Sequence, residues 1–274
     1  MYVSVAVMDT RIFRHMDFDT RIAGFADFVG RKKYLYDDNG HGTHVAGIIA
    51  GSGKGSNGKY RGIAPDTFLV SVKVLDKSGN GKIENVVEAA GWIIENKSAM
   101  NIRVVNISFG TRAKMENGPA IETGEDDYAL IMAVEKMWDS GIVVVAAAGN
   151  NGPGNTSVTA PGISKKIITV GAFDDKNFFS GRGPTRECIV KPEVVVTGSN
   201  IIACNNHQGR YSSKSGTSMA APVVSGAVAR LIKNNPDITP KEVKIWMKSC
   251  CKKINVPSEK QGWGVLDIRK FVTG

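Results

Sequence analysis

The sequence predicts an α/β fold in three layers, with a mostly parallel central sheet covered by helices on both faces. Short runs rich in valine and isoleucine are apolar throughout, as strands are when both faces of a sheet are buried. These runs alternate along the chain with longer segments of helical periodicity, which favours strand-helix-strand units. Many of the 31 glycines fall at the ends of the apolar runs, where tight turns require them.

The first predicted element is a buried strand over residues 3–8. A helix is predicted to start near His41 and to continue through residues 45–50. The further predictions are strands at 68–74, 104–108, 142–148, 167–170 and 194–196, and helices at 83–96, 128–139, 218–234 and 240–248. No internal repeat or low-complexity linker interrupts this pattern, so we predict a single domain over residues 1–274.

Composition places the chain among soluble globular proteins, with 42% apolar and 22% charged residues. The net charge of +9 raises the question of a nucleic-acid or anionic-membrane partner. The basic residues form only short runs without interleaved aromatics, and no apolar segment is long enough to span a bilayer. We therefore predict neither nucleic acid nor membrane as a partner.

The four cysteines, at positions 188, 204, 250 and 251, have no metal-binding C-x-x-C spacing. Reduced thiols are the simplest interpretation, and no signal peptide precedes the first strand. We predict a cytoplasmic protein, with a secreted protein whose leader was removed as the alternative.

Side chains that could take part in catalysis or binding follow the predicted strands or open the helices after them. In parallel sheets, ligand chemistry lies beyond the carboxyl ends of the strands. Asp9 directly follows the first strand and Asn150 follows the strand at 142–148, while His41 and Ser218 open helices after glycine-containing turns. These four side chains are therefore predicted to share one edge of the sheet.

Each of these residues also has a structural interpretation. Ser218 is placed either as a nucleophile at a helix N-terminus or as a simple N-cap. His41 and His44 have a spacing that permits a shared metal ion, although a third ligand is not evident, and His44 is interpreted as a packed helix residue. Asp9 either caps the following turn or holds a histidine in one tautomer.

The chain order Asp9, His41, Ser218 is the order of subtilisin. Four motifs extend this likeness: VMDT at 7–10, NGHGTHVAG at 39–47, AAGN at 147–150 and SGTSMAAP at 215–222. In these motifs the chain resembles the subtilisin-like serine proteases, or subtilases, along nearly its whole length. It is most similar to the intracellular bacterial branch of that family.

The resemblance implies a serine endopeptidase that forms an acyl-enzyme. Ser218 would be the nucleophile, His41 the general base and Asp9 its orienting carboxylate, with Asn150 in the oxyanion hole. Two alternatives stay open at this point. One is a catalytically silent subtilase fold used for binding or regulation, and the other is a metal-dependent hydrolase that uses His41 and His44.

The resemblance also implies polypeptide substrates held in extended conformation, with broad specificity and an apolar preference at the first pocket. The residues implied in substrate binding are Gly79, Gly81, Ile83, Ser108, Phe109, Gly110, Ala147, Ala148, Gly149 and Thr159. An inhibitory pro-segment is common in the family and is a possible partner, and nothing like it occurs in these 274 residues.

Three features depart from the family pattern. Arg11 stands where the family usually has glycine, so the turn after Asp9 is expected to differ. The loop 51–62 lacks the asparagine-rich insertion of the strong calcium site, and Asp17 matches only one ligand. We expect no cofactor for the chemistry and no strong calcium site, with a weak site left open. The long stretch 111–128 is predicted to be a solvated loop, with a lid or a contact for a basic partner as the alternatives.

Overall fold

The computed structural model describes residues 2–111 and 124–273. Most of the predicted loop at 111–128 therefore lies outside the described residues. The strands are β1 (Ser4–Asp9), β2 (Ile22–Asp27), β3 (Phe68–Lys73), β4 (Ile102–Ile107), β5 (Val143–Ala147), β6 (Ile168–Ala172), β7 (Val194–Val196), β8 (Ile201–Cys204), β9 (Tyr211–Lys214), β10 (Cys251–Lys252) and β11 (Val265–Leu266). The α-helices are α1 (His41–Ala50), α2 (Ile83–Asn96), α3 (Glu125–Asp139), α4 (Thr217–Asn234), α5 (Pro240–Ser249), α6 (Ser258–Gln261) and α7 (Ile268–Thr273).

Nine of the strands in the described residues form one sheet in the order β10-β11-β7-β6-β5-β4-β1-β3-β2. All neighbouring pairs in it are parallel except β10 and β11. The strand order reverses around β1, because β3 lies on one side of it and β4 on the other. Such a reversal opens a crevice at the carboxyl ends of the strands, and the last residue of β1 is Asp9.

Strand β1 is buried on both faces, which explains its unbroken apolar sequence. Val5 and Val7 face a core that contains α1, α4 and residues of α5 and α7, while Ala6 and Met8 face a core that contains α2 and α3. The sheet thus lies between two helical layers, and the predicted three-layer fold is confirmed. None of the helices in the described part of the chain is long and apolar enough to cross a membrane.

Helix α3 begins earlier than predicted. Glu125, Asp126 and Asp127 form its first turn instead of belonging to a solvated loop. The prediction of a loop was wrong at these positions, because carboxylates in the first turn are stabilised by the helix dipole.

His44 ties helix α1 to the separate β8–β9 hairpin. Its side chain is buried, and Nε2 lies 3.1 Å from the carbonyl oxygen of Ile201 and 3.0 Å from that of Ser212. Both partners are acceptors, so Nε2 carries the proton. Burial lowers the pKa of His44 to about 4, and His44 is therefore a neutral donor that joins two elements.

We predict that this histidine makes stability depend on pH. Between pH 6.5 and 4 the unfolded chain binds a proton at His44 that the folded chain does not, so the free energy of unfolding falls as the pH drops. The loss from this group is about 3 kcal/mol. Urea unfolding of the wild type and of His44→Gln at a series of pH values measures this loss. The variant keeps an amide donor without a titrating group, and an equally steep pH dependence in both proteins would contradict the prediction.

Candidate active site

The last residue of β1 meets the first residue of α1. Asp9 is fully buried, and both of its carboxylate oxygens contact Nδ1 of His41, at 2.8 and 2.9 Å. Gly40 precedes the helix with a φ of 96°, a left-handed conformation that suits glycine and turns the chain into α1. Because a carboxylate only accepts, Nδ1 carries the proton and Nε2 is left as an acceptor.

The surroundings of His41 favour its charged form. Burial alone would lower the pKa of His41, but the charge of Asp9 and the hydrogen bond to it together raise the pKa above its ordinary value. Lys214 opposes this to a smaller extent. Asp9 therefore orients the imidazole and also stabilises the imidazolium that forms when His41 accepts a proton.

Thr10 joins the turn after Asp9 to the start of α1. Its N–H donates to Asp9 Oδ1 at 2.7 Å, and its Oγ1 accepts from the N–H of Gly42 at 3.0 Å. The same hydroxyl donates to Asp37, whose carboxylate also accepts from the N–H groups of Gly40 and Thr43. Asp37 thus caps α1 and was missed in the sequence, although an acidic residue shortly before a helix start is a usable signal.

Ser218 lies in the first turn of α4, which begins at Thr217 after Gly216. Its hydroxyl donates to the carbonyl of Ser108 at 2.8 Å, and the hydroxyl of Ser108 donates to the carbonyl of Ser218 at 2.9 Å. The alternative of a simple N-cap is wrong, because the N-cap of α4 is Gly216 and Ser218 lies inside the first turn.

A buried polar chain supports this reciprocal pair. Asn106 Nδ2 donates to Ser108 Oγ at 2.9 Å, and Ser225 Oγ donates to Asn106 Oδ1 at 2.8 Å. Ser225 lies in α4, whereas Asn106 lies in β4. The network therefore fixes the start of α4 against the carboxyl end of β4.

Within the described residues, Ser218 is not hydrogen-bonded to His41. A hydroxyl has one proton, and that of Ser218 is directed to Ser108. Hydrogen bonds between catalytic groups are often long or poorly aligned in ligand-free enzymes and form on substrate binding. The pair Asp9–His41 is thus preassembled, whereas the hydroxyl of Ser218 would have to rotate to reach His41.

Asn150 is held by its oxygen. Its Oδ1 accepts from the N–H of Thr217 at 3.0 Å and from Thr217 Oγ1 at 3.1 Å. Thr217 Oγ1 in turn accepts from the N–H of Gly149 at 3.1 Å. The amide of Asn150 lies close to Gly216, where a Cβ would be 3.3 Å from Nδ2 and 3.6 Å from Oδ1. Thr217 therefore orients Asn150, a role that its place beside Ser218 did not reveal in the sequence.

A cleft of about 1170 Å³ is lined by Phe109 and Gly110, which directly follow Ser108, whereas Asp9, His41, Asn150 and Ser218 are not among the described residues that line it. Six of the predicted substrate-binding residues line it: Gly79, Gly81, Ile83, Phe109, Gly110 and Thr159. The acidic first turn of α3 lines it as well. The other four predicted residues, Ser108, Ala147, Ala148 and Gly149, are not among the described residues that line the cleft. Ala147 and Ala148 are buried, and the N–H of Ala148 donates to the carbonyl of Val170 while its carbonyl accepts from the N–H of Thr159.

Thr159 fills the space between two glycines. A Cβ on Gly110 would lie 2.2 Å from Thr159 Oγ1, and a Cβ on Gly149 would lie 2.7 Å from it. Only glycine fits at either position while Thr159 stays in place. The Thr159 hydroxyl is buried without a hydrogen-bond partner among the described residues. The resemblance places Ala147, Ala148 and Gly149 along one wall of the first pocket and Thr159 near its base, so Thr159 narrows this predicted pocket.

The metal-dependent alternative is not supported by the two histidines. His41 is directed to Asp9, whereas Nε2 of His44 is occupied by the carbonyls of Ile201 and Ser212. Among the described residues, one group has the composition and spacing of a metal site, and it is a different one: His15, Asp17 and Cys204.

Comparison with known proteins agrees with the geometry. The model of the subtilase family matches residues 2–264. Serine protease AprX of Bacillus subtilis (strain 168) is 42% identical, over 90% of this chain and 60% of that protein. Subtilisin DY of Bacillus licheniformis is 34% identical, over 88% of this chain and 81% of that protein.

Solved structures give the same result. A cold-adapted subtilisin-like serine proteinase superposes with a TM-score of 0.76 at 30% identity, covering 96% of this chain and 86% of that one. Sphericase superposes with a TM-score of 0.80 at 26% identity, covering 96% and 90%. The chain spans about 60% of the length of AprX. With its fold and four motifs in family order, this chain belongs to the subtilase family.

Proposed function

We propose that this chain is a serine endopeptidase that hydrolyses polypeptides through Ser218, His41 and Asp9. The observation that carries the proposal is the contact of His41 Nδ1 with both oxygens of the buried Asp9 carboxylate. A neutral imidazole held in this tautomer presents Nε2 as a base. Ser218 supplies a hydroxyl in the first turn of a helix, next to the carboxyl end of β4.

The reaction would proceed in two stages. Ser218 Oγ forms a bond to the scissile carbonyl carbon as its proton passes to Nε2 of His41. The carbon–nitrogen bond then breaks, and His41 returns the proton to the departing amine. Water repeats these steps on the acyl-enzyme and releases the acid. Asp9 stays ionised throughout and stabilises the imidazolium.

Asn150 would donate its amide N–H to the oxyanion of the tetrahedral intermediate, together with the backbone N–H of Ser218. The contacts of Thr217 with Asn150 Oδ1 support this, because they fix the amide by its oxygen and leave Nδ2 without a hydrogen bond to the described residues. Loss of one such donor lowers turnover roughly 100- to 1000-fold, a figure that comes from subtilisin itself and not from the geometry of this chain.

The cleft would hold an extended peptide between the edge segments at 79–81 and 108–110. Backbone pairing at such edges tolerates many sequences, and side-chain pockets then set the preference. Because Thr159 narrows the first pocket and contributes no charge, we propose a preference there for uncharged apolar side chains of medium size. Sequencing the cleavage products of a denatured protein mixture reads this preference.

The activity is tested with a fluorophosphonate probe, which reacts covalently with activated serines. We predict that the wild-type chain is labelled at Ser218 and hydrolyses a peptide substrate, and that Ser218→Ala does neither. The exposed serine of β9 provides a matched control, and Ser213→Ala should react like the wild type.

Equal labelling of the wild type and Ser218→Ala would contradict the proposal. Peptide binding by a wild-type chain that is neither labelled nor active would favour the alternative, a silent subtilase fold that acts as a binding module.

We also propose that the chain needs no calcium at Asp17. The Asp17 carboxylate is surrounded by donors: the N–H groups of Gly53 and Gly55 at 3.1 and 2.8 Å, and the hydroxyl of Tyr211 at 3.0 Å. The thiol of Cys204 lies 3.5 Å away as a fourth donor. A calcium ion requires six to eight oxygen ligands, and these groups offer it hydrogens instead. The residues present therefore do not fit a strong calcium site.

This proposal predicts a melting temperature that does not depend on calcium through Asp17. A strong site would stabilise the fold by about 4 kcal/mol when calcium exceeds its Kd a thousandfold. Thermal unfolding of Ser218→Ala in EDTA and in millimolar calcium measures the difference. A large calcium-dependent rise that disappears in Asp17→Asn would overturn the proposal, whereas a rise that Asp17→Asn keeps would place a weak site elsewhere.

The predicted cytoplasmic location and the inhibitory pro-segment stay predictions. The four cysteines are free thiols, which supports a reducing compartment.

A further inference from the structure

Arg11 has a backbone conformation unlike that of the other described non-glycine residues. Its φ is 107°, whereas the eight others with positive φ lie between 44° and 59°, in the ordinary left-handed region. A side chain at φ 107° is strained, and such outliers persist only where the surroundings enforce them.

The contacts of the Arg11 side chain enforce this backbone conformation. It is wholly buried, and Nη1 lies 3.0 Å from Asp27 Oδ2, which is equally buried. The guanidinium lies over the ring of Phe25 at 4.9 Å and over that of Tyr36 at 4.8 Å. The Tyr36 hydroxyl donates to the same Asp27 oxygen at 2.8 Å. The arginine is thus held by its ion pair with Asp27, by contact with two aromatic rings and by its burial.

Stability alone is a poor explanation for this arrangement. A buried ion pair often contributes little net stability, because both charges lose their hydration. The Nε of Arg11 is also buried without a partner among the described residues, which adds a further cost. The backbone strain and the desolvation cost at Arg11 together indicate that this residue serves to orient its neighbours and does not mainly stabilise the fold.

The turn that Arg11 forms contacts Asp9 and Gly42, the residue that follows His41. Residue 10 donates to Asp9 and accepts from Gly42, the residue after His41. The carbonyl of Arg11 approaches Gly42 so closely that a Cβ there would lie 2.1 Å from it. A shift of this turn would therefore move β1 relative to the first turn of α1.

We propose that Arg11 is a positioning residue for the Asp9–His41 pair: its anchored side chain holds the turn at 10–12 in the conformation that brings the carboxylate to the imidazole. The proposal rests on the proposed peptidase function. It assigns Arg11 a role in turnover without contact with substrate, since Arg11 is not among the described residues that line the cleft.

The test compares Arg11→Ala with Arg11→Gly. Both remove the guanidinium, but only glycine adopts the strained φ freely. We predict that kcat of Arg11→Ala falls about tenfold to a hundredfold, the order expected for a small misplacement of catalytic groups. In Arg11→Gly, kcat should stay within about threefold of the wild type, with KM nearly unchanged in both. Turnover is divided by the number of sites titrated with fluorophosphonate, which removes any unfolded protein from the comparison.

Asp27→Asn tests the anchor itself. Asp27→Asn should lower kcat in the wild-type background and leave kcat unchanged in the Arg11→Gly background, because Asp27 has no arginine side chain to hold there.

The control is Arg31→Ala. Arg31 also has a positive φ and pairs with a carboxylate, that of Glu88, but it is exposed. The kcat of Arg31→Ala should equal that of the wild type.

A second readout does not need activity. The pKa of His41, followed by NMR, is lowered by burial and raised by Asp9, while Lys214 lowers it and Asp37 raises it to a smaller extent. It should fall in Arg11→Ala and be retained in Arg11→Gly. Equal kcat per titrated site and an unchanged His41 pKa in Arg11→Ala would overturn the proposal. A wild type that neither labels nor hydrolyses peptide would instead overturn the proposed function, and the NMR comparison would still decide the role of Arg11.

Discussion

At the end of β1, the carboxylate of Asp9 has no access to water and must find its hydrogen-bond donors inside the protein. It finds them in His41 and in the N–H of Thr10. This requirement determines where α1 begins and how closely the helix approaches the turn after β1. Gly42 has no room for a side chain because of that approach, and Asp37 satisfies the free N–H groups of the same helix start.

The opposite wall of the site is built on a second rigid contact. Ser108 and Ser218 exchange hydrogen bonds, and Asn106 and Ser225 extend the network into β4 and α4. Both ends of the network lie on regular secondary structure. A strand and a helix hold a reactive group more precisely than a loop does. The proposed nucleophile is thus fixed by α4 and the proposed base by α1, the two helices that flank the same face of the sheet.

Much of this could be predicted from the sequence. The buried strands were identifiable because apolar runs such as residues 3–8 have no polar face, and Asp9, His41 and Ser218 occur in motifs with a known order. Strand β2 was missed because it is a partly exposed edge strand interrupted by Gly24, and β9 because its residues are mostly polar. The departure at Arg11 was visible as a missing glycine. The residues that anchor Arg11 were not visible in the sequence, since Asp27 and Tyr36 contact Arg11 only through tertiary packing.

The pKa of His41 tests the central claim most directly, because burial and Asp9 act on it in opposite directions. The measurement is an NMR titration of the His41 ring in Ser218→Ala, which cannot digest itself, with and without Asp9→Asn. The structure predicts a pKa above 6.5 when Asp9 is present and a clearly lower one in Asp9→Asn, where burial remains but the charge is gone. A pKa at or below 6.5, or the same value in both proteins, would contradict the claim that the buried carboxylate controls this histidine.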